Sequence, residues 1–178
     1  MKSFRSLAVV KRPSSEVFEI VRDRLVDLVP MVDDIKTIEM LERHDLGDGI
    51  IEFANRWTAA QRVPDTVARV VETDEIAWID HNLWSASEMT CRWTIEPCIL
   101  TEHIHCAGMT TYEPAMGGRG CRVTLEGTFD LAPAALARFS GALRRPATSL
   151  IESMVSTIIP RGTRKLAEAA VELSTLDR

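Results

Sequence analysis

Between Ile35 and Asp130, apart from a break at 63–75, the apolar residues of this chain recur mainly at every second position; after Pro133 they recur at every third and fourth. That change of period constrains the fold more than any other feature. A period of two belongs to strands with one buried and one wet face, and a period near 3.6 belongs to an amphipathic helix. The last alternating stretch is the clearest. Cys121, Val123, Leu125, Gly127 and Phe129 alternate with Arg122, Thr124, Glu126, Thr128 and Asp130. A sheet with one wet face is antiparallel, and its other face must be covered by another element.

The remaining elements follow from the same logic. Residues 3–11 read as a first strand. Pro13 stops it, Ser14 or Ser15 can cap a helix, and Glu16 suits the first turn. Val17, Phe18, Val21, Leu25, Leu28 and Val29 keep helical spacing until Pro30 ends the helix, with a short second helical turn around 31–34. IKTIEMLERHDL, the turn GDG and IIEFANRWTA read as a hairpin. A loop or short helical stretch follows, and then strands at about 76–84, 89–97, 102–113 and 120–131. The glycine-rich MGGRG at 116–120 is a turn into a strand, not a phosphate loop. After Pro133 the chain turns helical, with interruptions expected at Gly141 and Pro146. Ser149 and Glu152 fit a capping box at the start of a long helix over 147–173. Leu150, Ile151, Met154, Val155, Ile158 and Ile159 form its apolar stripe, continued by Leu166, Ala167, Ala170 and Leu173. Pro160 lacks a donor and clashes toward Ser156, so a kink or break is expected there.

Several classes of function are excluded. A chain of 178 residues fits a single domain over 1–178 that can bury a sizeable core. No apolar run reaches the ~20 residues of a membrane-spanning helix, and the four-residue run Leu7–Val10 is too short for a signal peptide. A soluble, cytoplasmic protein is expected. The net charge of −5 argues against nucleic acid as a partner. Cys91, Cys98, Cys106 and Cys121 form no CxxC pair and are expected to be free thiols. His103 and His105 share a strand face beside Glu102, yet no third ligand is placed by the spacing, so no metal is expected. No GxSxG, HExxH, Walker or dinucleotide motif occurs, and neither a cofactor nor a catalytic residue is indicated.

The order strand, one or two helices, six strands, long helix resembles the START/Bet v 1-like superfamily, also called SRPBCC or helix-grip. The opening Lys11-Arg12-Pro13-Ser14-Ser15-Glu16 into Val17-Phe18-Glu19-Ile20-Val21-Arg22-Asp23 is similar to the entry into helix one of that group. So are the glycine turn at Gly117–Gly120, CRVTLEGTFDLAP and the amphipathic helix that follows. The resemblance covers nearly the whole chain. It implies an α+β fold in which a curved seven-stranded antiparallel sheet wraps a long C-terminal helix, with two short helices between strands one and two. It further implies a hydrophobic cavity between sheet and helix. Members bind lipids, sterols, polyketides or hormone-like molecules, and some are cyclases or dehydratases. No shared catalytic set exists to carry over.

If the apolar face of the last strand points inward, matching faces elsewhere hold Ile51, Phe53, Asn55 and Trp57; Trp78, Asp80, Asn82 and Trp84; Cys91, Trp93 and Ile95; and Ile104, Cys106, Thr110 and Tyr112. All four tryptophans then face one interior. They either fill a dry core or line a pocket. A one-residue slip of the strand at 76–84 would instead bury Ile79, His81 and Leu83. The candidate ligand-binding residues are Phe53, Asn55, Trp57, Trp78, Asp80, Asn82, Trp84, Trp93, Tyr112, Met154 and Ile158. The expected partner is a hydrophobic small molecule or lipid, held by a carrier or sensor, with at most a weak homodimer. The alternative is a polyketide cyclase or dehydratase using Asp80 in the same cavity, with Tyr112 a further acid–base candidate. A third reading uses the basic segment after residue 131, which carries 7 Lys+Arg against 4 Asp+Glu, to dock an acidic partner or membrane surface through Arg144, Arg145, Arg161, Arg164 and Lys165.

Overall fold

The computed structural model describes residues 1–99, 103–137 and 139–177, and their side chains except those of 155 and 156. Glu102 and the side chain of Val155, singled out above, lie outside the described residues. Seven strands form one antiparallel sheet: β1 (Lys2–Val10), β2 (Ile35–Gly47), β3 (Ile50–Arg62), β4 (Glu75–Ser85), β5 (Thr90–Pro97), β6 (Ile104–Ala115) and β7 (Gly120–Leu131). Their order in space is β1-β7-β6-β5-β4-β3-β2. Sequential strands from β2 to β7 form a meander, and β1 closes onto β7. The expected α+β architecture is present.

The β2–β3 turn runs through Gly47, Asp48 and Gly49, all with positive φ (84°, 52° and 74°). Glycine on both sides of Asp48 makes that left-handed path accessible. The pairing of β2 with β3 shifts register at three points, and that of β3 with β4 at one. Such bulges bend a strand and increase its twist.

Helix α1 (Ser14–Asp23) buries Val17, Phe18 and Val21 against the sheet. It departs from expectation at both ends. Pro13 is the N-cap and no side chain caps the helix, so neither Ser14 nor Ser15 serves that role. The helix also stops at Asp23, not at Pro30. Arg24 turns out of helical geometry and its side chain is held by Asp27 and Asp177. A 3-10 helix at Leu25–Met31 follows, with Pro30 inside it and Leu28 fully buried. This replaces the second turn expected at 31–34. Helix α2 (Asp65–Val71) occupies the stretch read as a loop or short helix.

The C-terminal segment is continuous helix: α3 (Gly141–Ser153), a π-helical turn (Met154–Ile158) and α4 (Ile159–Leu176). Gly141 begins α3, and Pro146 lies within it without breaking it. Ser149 is exposed mid-helix, so the capping box expected there does not start a helix. The strain at Pro160 appears as the widened π turn immediately before it, a known accommodation for a helix that loses a donor. Ser6 Oγ on β1 donates to the Pro160 carbonyl at 2.9 Å, tying helix to sheet. Among the described residues no helix is long and apolar enough to cross a membrane.

Candidate functional site

Strand register decides which side chains share the interior. Across β3 and β4, Trp57 lies opposite Trp78 and Asn55 opposite Asp80. Across β4 and β5, Asn82 lies opposite Trp93 and Trp84 opposite Cys91. Burial alternates along β4: Trp78, Asp80, Asn82 and Trp84 are buried, while His81 and Leu83 are exposed and Ile79 is intermediate. The slipped register is therefore excluded. His81 instead meets Glu96 at 3.2 Å on the outer face. His105 is likewise exposed, opposite Asp130.

The four tryptophans do converge. The Trp57 and Trp78 rings stack with centroids 5.9 Å apart, and Trp84 packs against Tyr112 at 5.8 Å. Phe18 of α1 meets both Trp84 and Tyr112 edge-on. The fourth ring depends on two glycines. Trp93, Gly108, Gly127 and Phe4 form one row across β5, β6, β7 and β1. A Cβ on Gly108 would lie 2.4 Å from the Trp93 ring, and one on Gly127 would lie 2.6 Å from it. Only glycine lets that indole lie across the sheet to reach Phe4, 6.0 Å away between centroids.

A cavity of about 90 Å³ lies between this aromatic face and the C-terminal helix. Trp57, Trp78, Asp80, Asn82, Trp84, Trp93, Tyr112 and Ile158 line it, as expected from the alternation. Phe53, Asn55 and Met154 are buried but lie outside its wall. Residues not singled out as ligand-binding complete it. Leu25 comes from the 3-10 helix, and Ile159, Gly162, Thr163 and Leu166 come from α4. Gly162 is buried, and a Cβ there would meet nothing within 4 Å. The cavity volume is well below the ~300 Å³ of an ordinary ligand pocket.

The polar groups of the wall form a short chain. Cys91 Sγ donates to Asn82 Oδ1 at 3.6 Å, and Asn82 Nδ2 donates to Asp80 Oδ2 at 2.9 Å. Trp93 Nε1 donates to Thr110 Oγ1 at 3.2 Å. Two buried atoms of this wall have no hydrogen-bond partner: Asp80 Oδ1 and Trp57 Nε1. Burial pushes the Asp80 carboxyl up to about 6, against the opposing pulls of Asn82, His81 and the nearby Trp57 N–H. The indole is thus near enough to favour the carboxylate without making a bond of ordinary geometry to it. Burial raises the Cys91 thiol and the Tyr112 hydroxyl well above their usual ranges, so both stay protonated at neutral pH. Burial also pushes Cys106 up to about 12, which leaves it no thiolate character for nucleophilic work.

The basic segment is partly neutralised within the molecule. Lys165 reaches Asp34 at 3.1 Å and Asp33 at 3.5 Å, and Arg161 reaches Asp34 at 3.7 Å. Among the described residues no group of three His, Cys, Asp or Glu side chains is placed to hold a metal.

No protein-family model matches the chain, and no curated protein matches it in sequence. Solved structures match it in shape. TTHA0849 from Thermus thermophilus superposes with a TM-score of 0.64 at 20% identity, covering 97% of this chain and 99% of that one. Norcoclaurine synthase from Thalictrum flavum, solved in complex with dopamine and hydroxybenzaldehyde, gives 0.61 at 13% identity, covering 99% and 88%. The Zhui aromatase/cyclase from Streptomyces sp. R1128 gives 0.55 at 13% identity, covering 94% and 93%. The chain shares the helix-grip fold with these proteins.

Proposed function

We propose that this protein binds a small apolar molecule carrying one hydrogen-bonding group, in the cavity between the sheet and α4, as a carrier or sensor. The observation that carries the reading is the pair of orphaned buried atoms in the cavity wall, Asp80 Oδ1 and Trp57 Nε1. Buried polar groups are almost always paired. The Trp57 N–H is close enough to favour the Asp80 carboxylate without bonding it in ordinary geometry, so a bound group that draws the two apart can satisfy both. The aromatic walls supply the apolar contact, and the polar pair supplies orientation. Lipids or polyketides of the size held by larger pockets would need α4 to move outward.

Gly162 provides the test. It faces the cavity with open space at its Cβ, so Gly162→Leu fills the site without displacing backbone. Quenching of tryptophan fluorescence by butan-1-ol, a ligand of suitable size, should saturate in the wild type and vanish in the variant. Saturable quenching that survives in a folded Gly162→Leu protein would place binding elsewhere.

A second reading is favoured by one observation, a buried carboxyl with its pKa near 6 beside the Trp57 N–H. Those are the parts for enolisation, a step in aldol-type cyclisation. Asp80 Oδ1 would take the α-proton of a ketone, and the C–H electron pair would move into an enolate whose oxygen accepts from Trp57 Nε1. Deuterium exchange into butanone, followed by NMR, should then exceed the buffer rate and drop to it in Asp80→Asn. Exchange no faster than buffer would remove the enzyme reading and leave the binding one intact.

A further inference from the structure

Asp80 differs from the other carboxylates whose partners the structure shows. Those that pair do so with Lys, Arg, His or the N-terminal ammonium, either at the surface or, as for Asp23 and Asp34, partly buried. Asp80 is only 9% exposed, and among the described residues no cation lies within 4 Å of it. The groups that face it are Asn82 on its own strand, Asn55 and Trp57 on β3, Cys91 on β5, and Cys106 and Tyr112 on β6. None of these is cationic. His81, its chain neighbour, points to the opposite side of the sheet and is taken up by Glu96. The helix side of the cavity contributes Ile158, Ile159, Gly162, Thr163, Leu166 and Ala167, which are all uncharged. Of the basic residues of α4, Arg161 and Lys165 are turned to Asp33 and Asp34, and Arg164 is exposed.

An unpaired buried charge is among the costliest features a fold can hold. A hydroxyl would complete the hydrogen bond of Asp80 Oδ1 but leave its charge uncompensated. An anionic ligand would add repulsion. The walls favour the opposite sign as well, because indole and phenol faces attract cations. Five such rings line the cavity.

We propose that the ligand of this cavity is an organic ammonium ion, its N–H donating to the Asp80 carboxylate after a small shift of that side chain toward the cavity, and its apolar body lying among Trp57, Trp78, Trp84 and Tyr112. This rests on the pocket reading above and adds the charge class of the ligand to it. The narrow cavity favours a compact amine with a short alkyl chain.

The test compares two probes of nearly equal size, butylammonium chloride and butan-1-ol, by tryptophan fluorescence titration of the whole chain. Butylammonium stays charged across the working range, since alkylamines titrate near ~10. Protonation of Asp80 removes the attraction, so the preference must weaken as pH falls through about 6. At about pH 7.5 we expect butylammonium to bind at least roughly tenfold tighter than butan-1-ol. That preference should fall severalfold near pH 5, where only the contribution of the rings remains, and in Asp80→Asn it should stay at that lower level at every pH. Persistence of a pH-dependent preference in Asp80→Asn would assign it to another group and overturn the proposal. Equal binding of the two probes, or tighter binding of the alcohol, overturns the ammonium class while leaving the pocket standing. Failure of both probes overturns the pocket reading and the proposal together. The wild-type comparison alone discriminates these outcomes if the variant does not fold.

Discussion

At the scale of single residues, Asp80 is the most informative side chain. The alternation around Trp78 and Trp84 places it inward, and the structure keeps it there with Asn82. Its orphaned oxygen was not legible, because that depends on what the opposite strands and the helix fail to supply. Its ionisation carries a stability cost whose sign can be worked out. The folded carboxyl titrates near 6, against an ordinary value of 3.8. The folded state therefore holds the proton more tightly. The penalty is fully present above pH 6 and is relieved as pH falls from about 6 to about 4. Asp80→Asn should accordingly be more stable than wild type at about pH 8, by up to about 3 kcal/mol. Urea denaturation of both proteins between about pH 8 and pH 4 should show the two curves converging at the acid end. A variant less stable than wild type at pH 8 would mean that the carboxylate is compensated in the folded protein. A residue retained against its own stability fits a functional role.

At the scale of elements, the strands were legible and the helix ends were not. Strand boundaries follow period-two alternation and turn glycines, which are local. The end of α1 at Asp23 has no local breaker. Arg24 leaves helical geometry where its guanidinium meets Asp27 and Asp177, and Asp177 lies at the far end of the chain. Pro160 was legible as a perturbation, but its form was not. Ile158, Ile159, Gly162, Thr163 and Leu166 line the cavity, while Met154, at the start of the π turn, is buried outside its wall. Uniform helical spacing anticipates Ile158, Ile159, Leu166 and Ala167 in that wall but not where along the helix the cavity ends. The Trp93–Gly108–Gly127–Phe4 row is likewise a property of four strands in register. Within β6 alone Gly108 looks like a weak point of a strand. In the sheet it is a seat for an indole, and an added Cβ would lie 2.2 Å from the Glu126 carbonyl oxygen. Gly108→Ala should therefore lower stability by about 2 kcal/mol or more, measured by thermal or urea unfolding. A change below about 0.5 kcal/mol would show that the sheet relaxes around the methyl group.

At the scale of the whole molecule, the order of periods in the sequence was enough to determine an antiparallel sheet, a covering C-terminal helix and a common interior for four tryptophans. Each of these is set by local alternation, and alternation is a property of neighbours in the chain. Tertiary structure alone decided how much space remains inside that interior. The volume left over is a difference between the side chains of seven strands and the distance at which α1, the 3-10 helix and α4 are held from them. A small residual of large opposing volumes is sensitive to slight changes in helix phase. The pairing of polar groups is decided in the same way. The sequence could show that Trp57 and Asp80 point inward, but only the assembled sheet and helix show that Trp57 Nε1 and Asp80 Oδ1 are left without a partner.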